Sequence, residues 1–318
     1  MPSFLLFSFM YFISFMLVMS GDDWFLVWLG LELNMMSYII MIYRQYDMNV
    51  VESCLKYFFI QSLGSAAFIS FFYLNESNLS TLMVLVFSYK IGAGPFFFWF
   101  PSICSGLGWM SCYVLMTLQK VLPLMLMSMF KNWVLWLVSV ISLFAGVFGS
   151  FNQKNLSMLM AYSSVHHLGW ILLCLMTDEM VWMVYLLIYM IVLLSVIYML
   201  VYNEIIDIVM INSWSGKWWF VIGILSMAGM PPLLGFFLKW MAFIYIMNMG
   251  ILLMVFLIIM SVVMFYVYLR IVYDVIMGFK MTSSWSNNIY MGLWFSKMDF
   301  MGVFGFIFGL VFGFMLIN

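Results

Sequence analysis

Long apolar stretches alternate with short polar connectors along nearly the whole 318-residue chain. A hydrocarbon core of ~30 Å takes about 20 helical residues. Eleven stretches reach that length, near 3–20, 24–43, 55–73, 80–100, 108–129, 132–150, 155–176, 179–203, 217–247, 249–272 and 300–317. The pattern predicts an all-α polytopic membrane protein of about eleven transmembrane helices, one domain over 1–318. The ninth stretch is too long for one straight helix and holds Gly229-Met230-Pro231-Pro232 at its middle. Prolines there remove donors and break the helix, which membrane depth tolerates only inside protein or beside water. Milder interruptions follow Lys90 (Gly92, Gly94, Pro95, Pro101) and Lys120 (Pro123). Discontinuous helices in both halves of a chain point to a transport site.

Four charges break the apolar rule. Glu32, Lys90, Lys120 and Lys239 each sit deep in a separate stretch. A lipid-facing charge at a helix centre costs ~2.5–3.5 kcal/mol even on the lenient insertion scale. Such residues therefore face a bundle interior or a wet cavity, commonly on an ion or proton route.

Composition narrows the class. Hydrophobic residues are 67% of the chain and charged residues 7%, against roughly a quarter charged in a soluble domain. Met at 36 and Phe at 34 read as apolar positions filled by an AT-rich genome, since these side chains interchange in lipid. A net charge of −1 gives no reason to expect nucleic acid. The stretch after Met1-Pro2 lacks an Arg- and Ser-rich leader or cleavage site. That predicts insertion by a bacterial-type route, or synthesis inside the organelle where the protein works. Cys54, Cys104, Cys112 and Cys174 are scattered without C-x-x-C spacing, which argues against zinc or an iron–sulfur cluster. His166 and His167 are neighbours and point about 100° apart on a helix. They cannot clamp one metal or supply separated haem ligands, so no cofactor is expected in this chain.

Eleven spans put the termini on opposite faces. One side then collects Arg44, Lys56, Lys154, Lys217, Arg270, Lys280 and Lys297, and the other only Lys131 with the acidic Asp22-Asp23 and Asp178-Glu179. This is a strong positive-inside bias. It predicts the N-terminus on the positive side, the matrix of a mitochondrion.

If Glu32 and Lys90 approach to about 4 Å at an effective dielectric near 20, they attract by ~4 kcal/mol. Burial disfavours both charges and pairing favours both. A lysine poised between these effects can change protonation when its partner moves, although a static pair fastening two helices would look the same. Lys120 shares a helical face with Thr117, and Lys239 follows the Pro-Pro break, where it could also snorkel from a half-helix end. His167 stacks over Ser163 and Ser164, a polar strip suited to water. His166 sits over Tyr162 and reads as structural.

At these residues the chain resembles the subunit 2 family of mitochondrial NADH dehydrogenase, the antiporter-like subunits of respiratory complex I. The matching segments run from Trp28-Leu29-Gly30-Leu31-Glu32-Leu33-Asn34 through Gln61-Ser62-Leu63-Gly64-Ser65 and Lys90-Ile91-Gly92-Ala93-Gly94-Pro95-Phe96. They continue with Trp99-Phe100-Pro101, Gln119-Lys120-Val121-Leu122-Pro123, Ala161-Tyr162-Ser163-Ser164, His167-Leu168-Gly169-Trp170, and Gly229-Met230-Pro231-Pro232 through Lys239-Trp240. The resemblance implies an antiporter-like bundle with breaks at Pro95, Pro231 and Pro232. It implies proton translocation coupled to electron transfer from NADH to ubiquinone, the FMN, iron–sulfur clusters and ubiquinone being handled by other subunits. Glu32 and Lys90 match the family's coupling pair, Lys120 its central lysine, His167 its connecting axis and Lys239 its lysine toward the exit. Expected partners are other membrane-arm and accessory subunits, with lipids such as cardiolipin, in the mitochondrial inner membrane. Phe97 replaces a usual histidine, Ser157-Met158 replace a usual Arg-Lys pair after Asn152-Gln153, and His166 is an addition. A free-standing cation/proton antiporter of similar fold is the competing reading.

Overall fold

Every apolar stretch but the last coincides with a helix, or with two helices separated by a break. The computed structural model describes residues 2–21, 23–43, 45, 47–73, 79–177, 180–202, 217–231 and 233–277. The stretch 300–317 lies outside these, as do Pro232, Arg44, Lys280 and Lys297. The helices are α1 (Pro2–Ser20), α2 (Trp24–Ile42), α3 (Met48–Tyr73), α4 (Leu79–Ile91), α5 (Trp99–Gly106), α6 (Trp109–Met116), α7 (Leu118–Met129), α8 (Trp133–Ser150), α9 (Leu156–Thr177), α10 (Val181–Tyr202), α11 (Lys217–Ala228), α12 (Leu234–Ile246) and α13 (Ile251–Met277). Among the described residues, α2, α3, α8, α9, α10, α13 and the α6–α7 pair are each long and apolar enough to cross a membrane. Shorter apolar segments lie in α1, α4, α11 and α12.

Two compact units emerge, one of residues 1–150 and 157–176, the other of 151–156 and 177–318. In the first, α3 lies against α2, α4 and α5, and α4 also packs on α7 and α8. Glycines let α8 and α9 approach closely: a Cβ on Gly146 would meet the His166 backbone at 2.6 Å. Such small-residue contacts are how helices associate where lipid offers no hydrophobic drive. In the second unit, α11 packs on α10, α12 and α13.

Two breaks fall where Gly and Pro predicted them, and one does not. The stretch 80–100 is no continuous span, since α4 ends at Ile91, Gly92 turns with φ 72° and Gly94–Pro95 is cis. Pro101 lies in the first turn of α5, where a missing N–H costs little. The freed carbonyls of α4 find donors. Ser88 accepts from the Ala93 N–H at 3.0 Å, Tyr89 from the Trp99 indole at 3.1 Å, and Lys90 from the Gln61 amide at 2.8 Å. That accounting is what permits an open helix end among buried helices. In stretch 108–129 the interruption is at Thr117 (φ −123°, ψ −80°), while Pro123 sits inside α7. Proline clashes with the turn preceding it, so the helix gives way upstream, where the Thr117 hydroxyl and N–H both bond the Tyr113 carbonyl. The third break follows Ala228, with Gly229 at φ 86°.

Candidate functional site

In the first unit, α3 presents two adjacent small residues to the two flanking charges. Gly64 faces α4: a Cβ there would meet Lys90 Cγ at 2.8 Å and Cε at 3.0 Å. The stem of Lys90 therefore lies across α3 only because residue 64 has no side chain. Ser65, buried, donates its hydroxyl to the Glu32 carboxylate of α2. Glu32 is half-buried and Lys90 buried. Glu32 and Lys90 have no N···O contact within 4.0 Å, and each lies against the same turn of α3, one at Ser65 and the other at Gly64. The two charges are neighbours through α3 rather than a contact pair.

Lys90 also lines a cavity of about 20 Å³, shared with Lys120, Gln119, Tyr57, Gln61 and Asn34. A water needs about 10–15 Å³ and two to four polar partners. The space holds one. Tyr57 donates to Gln119 Oε1 at 3.2 Å, and the Gln119 amide nitrogen, buried, has no protein acceptor. That buried, unpartnered amide is the group in the cavity lining that calls for a further acceptor.

Lys120 follows the Thr117 break in the first turn of α7 and is buried. Its ammonium lies 4.6 Å from the centre of the Phe100 ring and 3.5 Å from the Ser164 carbonyl of α9. The ring face stabilises a cation, and the carbonyl is within weak hydrogen-bond reach. Lys120 thus touches the cavity on one side and α9 on the other. His167, buried, lies one turn beyond Ser164 on α9. The strip of Ser163 and Ser164 differs from expectation in one respect. Both hydroxyls donate back to their own helix, to Met160 and Ala161 at 2.7 Å, leaving only oxygen lone pairs for a water. His166 Nε2 accepts from the Trp170 indole at 3.2 Å, which fixes that ring within α9.

Lys239 belongs to the second unit. Its ammonium donates to the carbonyl of Ala228, the last residue of α11, at 2.6 Å, and its stem lies against Gly229. At 7% exposure, it caps a helix end and does not snorkel. Pro231 stands exposed in the same break, and Pro95 exposed in the turn after α4.

The sequence did not single out Gln61, Ser65, Tyr57 or Gln119. Their signal was available as neutral polar residues one or two turns apart in apolar helices, but only the packing shows which face the charges. Among the described residues, no three His, Cys, Asp or Glu side chains converge as a metal centre requires. Cys112 donates its thiol to the Cys104 carbonyl at 3.2 Å, and two sulfurs do not make a cluster site.

Residues 70–265 match the family "NADH:quinone oxidoreductase/Mrp antiporter, TM". Over 298 residues the chain is 35% identical to NADH-ubiquinone oxidoreductase chain 2 of Anopheles gambiae, covering 86% of each protein. The chain belongs to the NADH-ubiquinone oxidoreductase chain 2 family. Its fold agrees with that assignment. A chain of respiratory complex I from Thermus thermophilus superposes with a TM-score of 0.83 at 23% identity, over 98% of this chain and 78% of that one. A chain of the Mrp complex from Dietzia sp. gives 0.68 at 16% identity, over 79% and 56%. Chain 2 membership turns the buried lysines of this bundle from oddities into the features that need a function.

Proposed function

We propose that this chain is a multi-pass, proton-translocating subunit of NADH:ubiquinone oxidoreductase in the mitochondrial inner membrane. The observation that carries the reading is a cavity lined by both Lys90 and Lys120, two buried lysines, with room for one water. Electron transfer, with FMN, iron–sulfur clusters and ubiquinone, belongs to other subunits of the complex. Those subunits and lipid meet the exposed apolar faces of helices such as α13.

Glu32, held by α3 beside the stem of Lys90, is the partner whose movement frees the Lys90 proton. Lys90 then gives its proton to the cavity water, which gives one to the neutral amine of Lys120. Lys90 ends neutral and Lys120 ends as an ammonium over the Phe100 ring. His167 continues the route from α9. In the second unit, Lys239 serves the side toward the exit from the end of α11.

The alternative, a free-standing cation/proton antiporter, draws on the likeness of fold to the Mrp chain. Native electrophoresis of mildly solubilised membranes separates the two readings. A complex I subunit migrates with the band that oxidises NADH and exchanges no cations alone in liposomes. Cation exchange by the isolated chain would favour the antiporter.

A further inference from the structure

We infer that Ser65 is a positioning residue for Glu32, a hydroxyl that holds the carboxyl in both of its protonation states by reversing one hydrogen bond. This rests on the reading of Glu32 and Lys90 as a coupling pair. Ser65 Oγ has two acceptors, the Glu32 carboxylate and, at 2.9 Å, the Ser62 carbonyl of its own helix. A hydroxyl carries one proton and can donate to only one of them at a time. With Glu32 ionised, Ser65 donates to it, and Ser62 O keeps the backbone N–H of the next turn of α3. With Glu32 protonated, the carboxyl donates to Ser65 Oγ and the serine proton turns to Ser62 O. No donor is stranded in either state. Ser65 is 2% exposed, so bulk water does not substitute for the hydroxyl. The adjoining Gly64 brings Lys90 against the same turn of α3. The turn thus fixes the carboxyl next to the lysine stem while leaving the carboxyl free to change charge.

The test uses the intact complex, with assembly followed by native electrophoresis. Ser65→Ala should lower quinone-linked turnover and proton transport together by roughly tenfold, the low end for a hydrogen bond to a charged group. Electron transfer to an artificial acceptor should be unchanged. Ser65→Thr keeps the hydroxyl and should stay within about twofold of wild type. In a Glu32→Gln background, which has no second protonation state to hold, Ser65→Ala should add less than about twofold. An undiminished Ser65→Ala complex would overturn the inference, as would a loss of equal size in both backgrounds, which would mean packing alone. Glu32→Gln impaired beside a normal Ser65→Ala overturns this inference and leaves the coupling pair standing. A normal Glu32→Gln overturns both.

Discussion

The ammonium of Lys239 donates to the carbonyl of Ala228 across the break between α11 and α12, at 2.6 Å. A helix end leaves its last carbonyls without partners, and a cation there is favoured by the helix dipole as well. Lys239→Met removes the donor and leaves that carbonyl buried. The expected loss is about 1.5–3 kcal/mol, read as a lower melting temperature of the assembled complex together with reduced proton transport. An unchanged melting temperature would mean that Ala228 finds another donor.

Gly229 makes that arrangement possible. Its φ of 86° suits glycine, and a Cβ there would meet Lys239 Cδ at 3.0 Å and Nζ at 3.2 Å. Gly229→Ala should therefore destabilise by about 1–2 kcal/mol from backbone strain alone and also push the lysine from its carbonyl. Combined with Lys239→Ala, which removes the crowding stem, the alanine at 229 should cost less than it does alone. A thermal-stability cycle over the four variants checks this.

The cavity lined by Lys90, Gln119 and Lys120 predicts a specific weakness at Gln119. Gln119→Leu keeps the volume and removes the amide that would hold the water, so proton transport should fall by roughly tenfold, the order of one hydrogen bond. Assembly and electron transfer to an artificial acceptor should be retained. Normal pumping by this variant would exclude the cavity as the step between the two lysines.

Much of this was legible beforehand because charge in an apolar run is rare. Lys90, Lys120 and Lys239 stand out for that reason, and Gly92–Pro95 and Gly229–Pro231 announce two of the breaks. The Thr117 break was hidden, since Pro123 displaces the discontinuity into an upstream turn with no glycine. The Glu32–Lys90 relation was half legible. Both residues are where the pattern puts them, but the intervening Gly64-Ser65 turn is visible only once α2, α3 and α4 are packed. Hydropathy says that a serine is tolerated there and cannot say which carboxylate it serves.

The positive-inside bias makes Lys154 and Lys131, both exposed, a pair of opposite labels. On a cysteine-free background, Lys154→Cys should react with an impermeant thiol reagent from the matrix and Lys131→Cys from the opposite side. Labelling of both from one side would remove the proposed orientation of the spans.

The central claim is that Lys120 carries the proton, and the proton-to-electron ratio of an assembled Lys120→Met complex in sealed vesicles tests it most directly. The substitution keeps chain length and apolar bulk over Phe100 but has no amine to accept from the cavity water. The account predicts normal electron transfer to an artificial acceptor, with quinone-linked turnover and proton transport falling together by at least about tenfold. Lys120→Arg should give no rescue, since guanidinium stays protonated. An assembled Lys120→Met complex that turns over and pumps at the wild-type ratio would make Lys120 a structural lysine and contradict the account.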